Sequence, residues 1–139
     1  MSTPDACTLC LAGTYSTAVG LSTSPCPSCA AGSYTTALGL DAPERCKLCD
    51  PGTYQTTTGA SAPAACLACA PGAYSTAYGL PVPCTLCAVG TYSTAYGLPQ
   101  ACGKCDAGTY STAYGLSAAC PPCRAGNLPT HRVATAHAW

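Results

Sequence analysis

Apolar and polar positions along this chain follow no helical period, and no segment carries helix caps. They return instead every 18 to 20 residues, inside one recurring phrase. From Cys10 it reads C-L-A-G-T-Y-S-T-A-V-G-L, then a short variable stretch, then the next cysteine pair. The two glycines of the phrase predict backbone turns with positive φ, or places where another strand comes close. The Tyr-Ser-Thr-Ala run between them suits a short extended segment, because Tyr and Thr favour strands. Pro and Ala punctuate an irregular return. The predicted fold class is small and disulfide-rich: an elongated tandem array of modules about 18–20 residues long, with short β-ribbons and turns and almost no helix.

The repeat is anchored by fourteen cysteines arranged as seven Cys-x-x-Cys pairs. The first cysteines of the pairs are Cys7, Cys26, Cys46, Cys66, Cys84, Cys102 and Cys120, spaced 19, 20, 20, 18, 18 and 18 residues apart. Six full units carry Gly-x-Tyr at Gly13/Tyr15, Gly32/Tyr34, Gly52/Tyr54, Gly72/Tyr74, Gly90/Tyr92 and Gly108/Tyr110. Their second glycines are Gly20, Gly39, Gly59, Gly79, Gly97 and Gly115. Units four to six are nearly identical, repeating Y-S-T-A-Y-G-L at 74–80, 92–98 and 110–116. The array breaks off at Cys123-Arg-Ala-Gly126, where Leu128 stands in place of the tyrosine. The chain divides into an N-terminal lead at 1–6, the array at 7–126 with a partial seventh unit, and a cysteine-free tail at 127–139. Such a linear array is expected to place each unit mainly against its neighbours.

Composition adds the reason for the cysteines. Apolar content is 48%, but Ala, Cys and Tyr supply most of it, and Phe is absent. Units this small cannot build an aliphatic core and need staples. Charged residues are 7% of the chain and cancel to zero net charge, against about 25% in ordinary domains. No basic patch exists to neutralise phosphates, which argues against nucleic-acid binding. The acids do not cluster as a calcium loop would require. No apolar run approaches the ~20 residues of a membrane span, and the first residues, M-S-T-P-D-A-C, lack the pattern of a secretory signal. The expected location is extracellular or cell-surface, with the chain a fragment or mature segment of a secreted protein.

Two chemistries compete for the cysteines. Intervals of 14 to 16 residues between pairs suit zinc ribbons. Against zinc stand the odd number of pairs, the scarcity of Lys and Arg to offset tetrathiolate charge, and the unbroken repetition. A redox role for Cys-x-x-Cys lacks the surrounding βαβ pattern. Disulfides are the preferred reading, without cofactor or metal. Spacing alone leaves their connectivity open, but one ladder is economical: Cys10–Cys26, Cys29–Cys46, Cys49–Cys66, Cys69–Cys84, Cys87–Cys102 and Cys105–Cys120. Each such loop is worth on the order of 3 kcal/mol by chain-entropy accounting. The ladder leaves Cys7, in a loop-closing position, and Cys123, in a loop-opening position. An intermolecular Cys123–Cys7 disulfide would continue the repeat, and a head-to-tail contact of that kind builds a filament unless it closes into a ring. A longer array, of which this chain is a cut piece, accounts for the two ends equally well.

The phrase C-x-x-G-T-Y-S, followed by a glycine and another C-x-x-C, resembles the ephrin-receptor-like cysteine-rich repeat. It is also similar to the loop-closing submodule of TNF-receptor cysteine-rich domains. The likeness covers residues 7–126 and brings no catalytic motif. It implies an extracellular stack of disulfide-linked modules, as in receptor ectodomains and in large surface proteins of animals, algae and protists. The chain departs from receptor examples in its near-identical units, scarce charge and lack of a membrane anchor.

Two recurring side-chain sets remain. The Gly-x-Tyr rings are expected to cover each unit's disulfide, whereas Tyr78, Tyr96 and Tyr114 form a candidate exposed ladder for a partner copy or a sugar face. Paired hydroxyls at Ser16/Thr17, Thr35/Thr36, Thr56/Thr57, Ser75/Thr76, Ser93/Thr94 and Ser111/Thr112 are candidate O-glycosylation sites, or turn-forming groups. No N-x-S/T sequon occurs. His131 and His137, in the tail, are expected to be solvated rather than metal ligands. With no acid–base pair, no histidine within the array and no phosphate loop, catalysis is not expected. The leading expectation is a structural repeat protein of an extracellular fibre, wall or sheath, assembling with itself end to end and carrying O-linked sugars. The alternatives are a ligand-binding or adhesion segment of a receptor ectodomain, and a cytosolic multi-zinc protein.

Overall fold

The computed structural model describes residues 7–19 and 25–127. Gly20, the lead at 1–6, Leu128, both histidines and Trp139 lie outside the described residues.

Each unit is built by a turn that throws the chain into a two-residue strand. In the third unit, Asp50-Pro51-Gly52-Thr53 closes with the Thr53 N–H donating to the Asp50 carbonyl at 3.1 Å. The Thr53 hydroxyl donates to the same oxygen at 2.6 Å. Pro at the second turn position and Gly52 at φ +83° in the third are the placements a type II turn requires. The strand that leaves the turn pairs antiparallel with the two residues between the cysteines of the next pair. Thus β1 (Ser33–Tyr34) pairs with β2 (Lys47–Leu48), and β3 (Thr53–Tyr54) with β4 (Leu67–Ala68). Likewise β5 (Ala73–Tyr74) pairs with β6 (Thr85–Leu86), and β7 (Thr91–Tyr92) with β8 (Gly103–Lys104). Four two-stranded ribbons result.

In units one and six the ribbon shrinks to a single bridge, Thr14 to Ser28 and Thr109 to Pro122. The cause is legible locally. Tyr15 and Tyr110 still donate to the carbonyls of Pro27 and Pro121, at 3.0 Å in both cases. Proline has no N–H to return the second bond.

The Cys-x-x-Cys spacing follows from the ribbon. In an extended segment side chains alternate faces, so cysteines three residues apart point to opposite sides. One sulfur closes the loop behind and the other opens the loop ahead. The bonds are Cys10–Cys26, Cys29–Cys46, Cys49–Cys66, Cys69–Cys84, Cys87–Cys102 and Cys105–Cys120. Their Cα atoms lie 5.6 to 6.0 Å apart, within the normal range for a disulfide. The chain is therefore a tandem array of disulfide-closed loops and short β-ribbons. Its helical content among the described residues is two 3₁₀ turns, Pro43–Arg45 and Pro63–Ala65, each led by a proline. An exposed Arg45–Asp41 ion pair at 3.1 Å flanks the first.

The core is small and mostly sulfur. Cys29, Cys49, Cys69, Cys87 and Cys105 are the largest side chains fully removed from solvent, joined by Leu40, Ala60 and Ala73. Each of these cysteines opens a loop and is tied by its backbone as well. The Cys29 N–H donates to Gly13 at 2.8 Å, and its carbonyl accepts from Gly59 at 2.9 Å. The same pair of bonds recurs at Cys49, Cys69 and Cys87.

Backbone hydrogen bonds run within a unit or to the adjacent one, as expected of a linear array, but the packing reaches further. A Cβ placed on Gly13 would stand 2.8 Å from the carbonyl carbon of Gly59, two units along, and closer still to its oxygen. Gly32 meets Gly79, Gly52 meets Gly97 and Gly72 meets Gly115 in the same way. The stack is thus tighter than neighbour-to-neighbour contact, because glycine on both sides lets backbone rest on backbone.

Candidate functional site

The functional candidates among the described residues are the repeated side chains on the stack and its two ends. Among the described residues, no group of three or more His, Cys, Asp or Glu is placed to hold a metal ion. Twelve sulfurs are committed to disulfides, and a disulfide sulfur is not the thiolate that zinc requires. Only Cys7, exposed, and Cys123, partly exposed, keep free thiols. They stand in the first and last pairs of the array, at the loop-closing and loop-opening positions respectively.

The paired hydroxyls separate into two kinds. Thr35, Ser75, Ser93 and Ser111 are buried, with Ser75 at 4% exposure, and Ser16 is half-buried. Ser75 Oγ accepts the Ala77 N–H at 3.3 Å, Ser93 Oγ accepts that of Ala95 at 3.2 Å, and Thr35 Oγ1 accepts that of Ala37 at 3.1 Å. Ser16 does the same for Ala18 at 3.3 Å, and Ser111 Oγ donates to the Ala113 carbonyl at 3.1 Å. These groups turn the chain after the strand, and Thr35, Ser75, Ser93 and Ser111 are closed off from solvent in the folded chain. The second hydroxyls, Thr17, Thr36, Thr76, Thr94 and Thr112, are exposed, as are Thr56 and Thr57 of the third unit. In sequence the two members look alike, yet one signal separates them. In the third unit Gln55 holds the buried place, and its Oε1 accepts the Thr57 N–H at 3.0 Å. A glutamine can supply that acceptor but cannot carry an O-linked sugar.

The tyrosines also divide. Tyr15 packs on the cluster of Cys29, Leu40 and Cys46, so its ring covers the disulfide of the following unit rather than its own. The Gly-x-Tyr rings at Tyr34, Tyr54, Tyr74 and Tyr92 are half-buried, and Tyr110 is 39% exposed. Lys47 lies 5.8 Å from the centre of the Tyr34 ring. A hydrogen bond that the ammonium donates to the Tyr34 oxygen, then the charges of Tyr34 and Asp50, hold the lysine above its ordinary pKa. Tyr78, Tyr96 and Tyr114 are 66%, 76% and 68% exposed, each one residue before a second glycine. No charged residue stands between Asp50 and Lys104, so Tyr78 and Tyr96 project from a neutral stretch.

These features define a class: a disulfide-stapled tandem β-ribbon repeat of the kind that oxidising, extracellular surroundings sustain. No helix among the described residues is long and apolar enough to cross a membrane. Compared with protein-family models and with curated protein sequences, the chain matches none.

Proposed function

We propose that this chain is a non-enzymatic structural repeat protein of an extracellular fibre, wall or sheath, joined end to end by Cys123 of one copy and Cys7 of the next. The observation that carries the reading is the ladder of six disulfides with its two unbonded cysteines in phase at opposite ends. A bond between copies would make a seventh rung of the same kind. The function is mechanical: disulfide rungs hold each loop shut and stacked glycines hold the loops together. Sugars, on this reading, sit on the exposed Thr17, Thr36, Thr56, Thr57, Thr76, Thr94 and Thr112. The C-x-x-G-T-Y-S phrase supports placing the array with ephrin-receptor-like and TNF-receptor-like cysteine-rich repeats. Electron microscopy of the oxidised protein, repeated after reduction, tests the reading. Filaments whose copies stay covalently linked in denaturant, and separate there only on reduction, support it, and single copies under both conditions count against it.

A receptor or adhesion segment is the second reading, favoured by the exposed rings at Tyr78, Tyr96 and Tyr114. A neutral sugar chain or a partner copy suits such rings, since aromatic faces need no charge to make contact. Binding of a glycan array that disappears when all three become alanine would favour it over the fibre.

A further inference from the structure

The internal contacts of the stack identify what the two ends would do with each other. Among the described residues the first glycine of a unit rests on the second glycine two units along at four places: Gly13 on Gly59, Gly32 on Gly79, Gly52 on Gly97 and Gly72 on Gly115. Alongside each contact, the first glycine's N–H donates to the residue after the next unit's tyrosine. Gly13 donates to Thr35 at 2.9 Å, Gly32 to Gln55 at 2.7 Å, and Gly52 and Gly72 to Ser75 and Ser93 at 2.8 Å. The interface has two halves, a first glycine with its N–H and a second glycine with its carbonyl.

Among the described residues, each end of the array presents one half without the other. Gly126 is the first glycine of the seventh unit, following Cys123 as Gly13 follows Cys10. It holds the same turn at φ +82°, and a Cβ placed on it would meet nothing within 4 Å. Its N–H has no hydrogen-bond acceptor among the described residues. At the other end, Gly39 is the second glycine of the second unit; the Leu9 side chain lies beside it, and no first glycine among the described residues rests on it. The carbonyl of Ser16, which follows the first unit's tyrosine, accepts no hydrogen bond among the described residues.

We infer that a second copy of this chain docks by seating Gly126 on the Gly39 carbonyl, with the Gly126 N–H donating to Ser16. The register follows from counting units: when the seventh unit ends at the next copy's Cys7, that copy's first and second units become the eighth and ninth. The seventh unit's glycine then meets the ninth unit's, as the first meets the third within the chain. This inference rests on the end-to-end reading and adds to it a contact that does not depend on sulfur. The thiols follow from the docking, since Cys123 of one copy and Cys7 of the next then flank one loop.

The test uses two Asn substitutions, because asparagine tolerates positive φ; at Gly39 the new Cβ displaces only the exposed end of the Leu9 side chain, whose Cδ2 would lie 2.7 Å away. Sedimentation velocity on full-length C7S/C123S protein, over rising concentration, is expected to show open-ended association without disulfides. Gly126→Asn and Gly39→Asn, each in that background, are expected to weaken association at least tenfold with unchanged circular dichroism. Mixed together they retain one good end each and are expected to stop at dimers. In protein that keeps both thiols, Gly126→Asn should slow formation of the Cys123–Cys7 crosslink at least tenfold. Association of the C7S/C123S protein while the thiol-bearing protein forms no crosslink would remove the covalent reading and leave this contact standing. Crosslinked polymers that form as fast with Gly126→Asn, or mixed variants that grow beyond dimers, would overturn the contact.

Discussion

Gly13 lies against the carbonyl of Gly59, two units away, with no space between them for a side chain. That relationship recurs at Gly32, Gly52 and Gly72, and it converts a row of disulfide loops into a stack. Glycine serves there twice over, once for the turn and once for the contact.

The two roles can be separated by substitution. Gly52→Ala must hold a side chain at φ +83° and push it into the Gly97 carbonyl. Gly108→Ala must hold φ +80° but meets nothing within 4 Å. Left-handed strain alone costs about 1–2 kcal/mol, and forcing extra volume into closed packing adds about 1–3 kcal/mol. Denaturant melts with disulfides intact should therefore show Gly52→Ala losing roughly twice as much stability as Gly108→Ala. Equal losses would mean the stacking contact contributes nothing.

Within one hydroxyl pair the members should behave oppositely. Ser75 is buried and accepts the Ala77 N–H, whereas Thr76 is exposed. Removing the acceptor leaves a backbone donor short of a partner, so Ser75→Ala should cost about 1–2 kcal/mol. Thr76→Ala should stay within about 0.5 kcal/mol of the parent. If O-linked sugar is present, site mapping by mass spectrometry should find it on Thr76 and never on Ser75.

Opening one rung tests the stapling. Replacing Cys69 and Cys84 by serine frees a loop with a sequence separation of 15. Chain-entropy accounting puts the cost near 3 kcal/mol. Calorimetry should record a lower melting temperature, with amide exchange fastest between residues 69 and 84 and slower in the loops that keep their bonds.

Lys47 offers a check of local electrostatics. Its interaction with Tyr34, aided by Asp50, raises its pKa in the folded chain. A raised pKa means that the contribution is present below the ordinary lysine value and is lost as pH climbs through the folded one. Because the amine is exposed, the effect on stability should be slight. NMR titration of the Lys47 side chain should give a pKa above the ordinary lysine value, and Tyr34→Phe should bring it back towards that value.

Much of this fold could be read directly from the residues. Cysteine spacing and the poverty of aliphatic side chains required staples, and positive φ at Gly32 and Gly39 followed from their fixed places beside turns. The ribbons were legible in Tyr and Thr, though their second strands were hidden inside the Cys-x-x-Cys pairs. What escaped was long-range. No local pattern says that Gly13 faces Gly59, because a glycine reserved for backbone contact looks like one reserved for a turn. Nor does Ser75 differ from Thr76 in chemistry; only the direction of the chain after the strand buries one and exposes the other. The packing of Tyr15 on Cys29, Leu40 and Cys46 was hidden for the same reason, since the ring and its cover come from different units.

Peptide mapping of the oxidised, unreduced protein by mass spectrometry bears most directly on the central claim. The ladder predicts six linked peptides, from Cys10–Cys26 through Cys105–Cys120. In oligomers it predicts a seventh, joining Cys123 of one copy to Cys7 of another. Free thiols among the twelve bonded cysteines, or crosslinks joining Cys7 to Cys7 and Cys123 to Cys123, would contradict it.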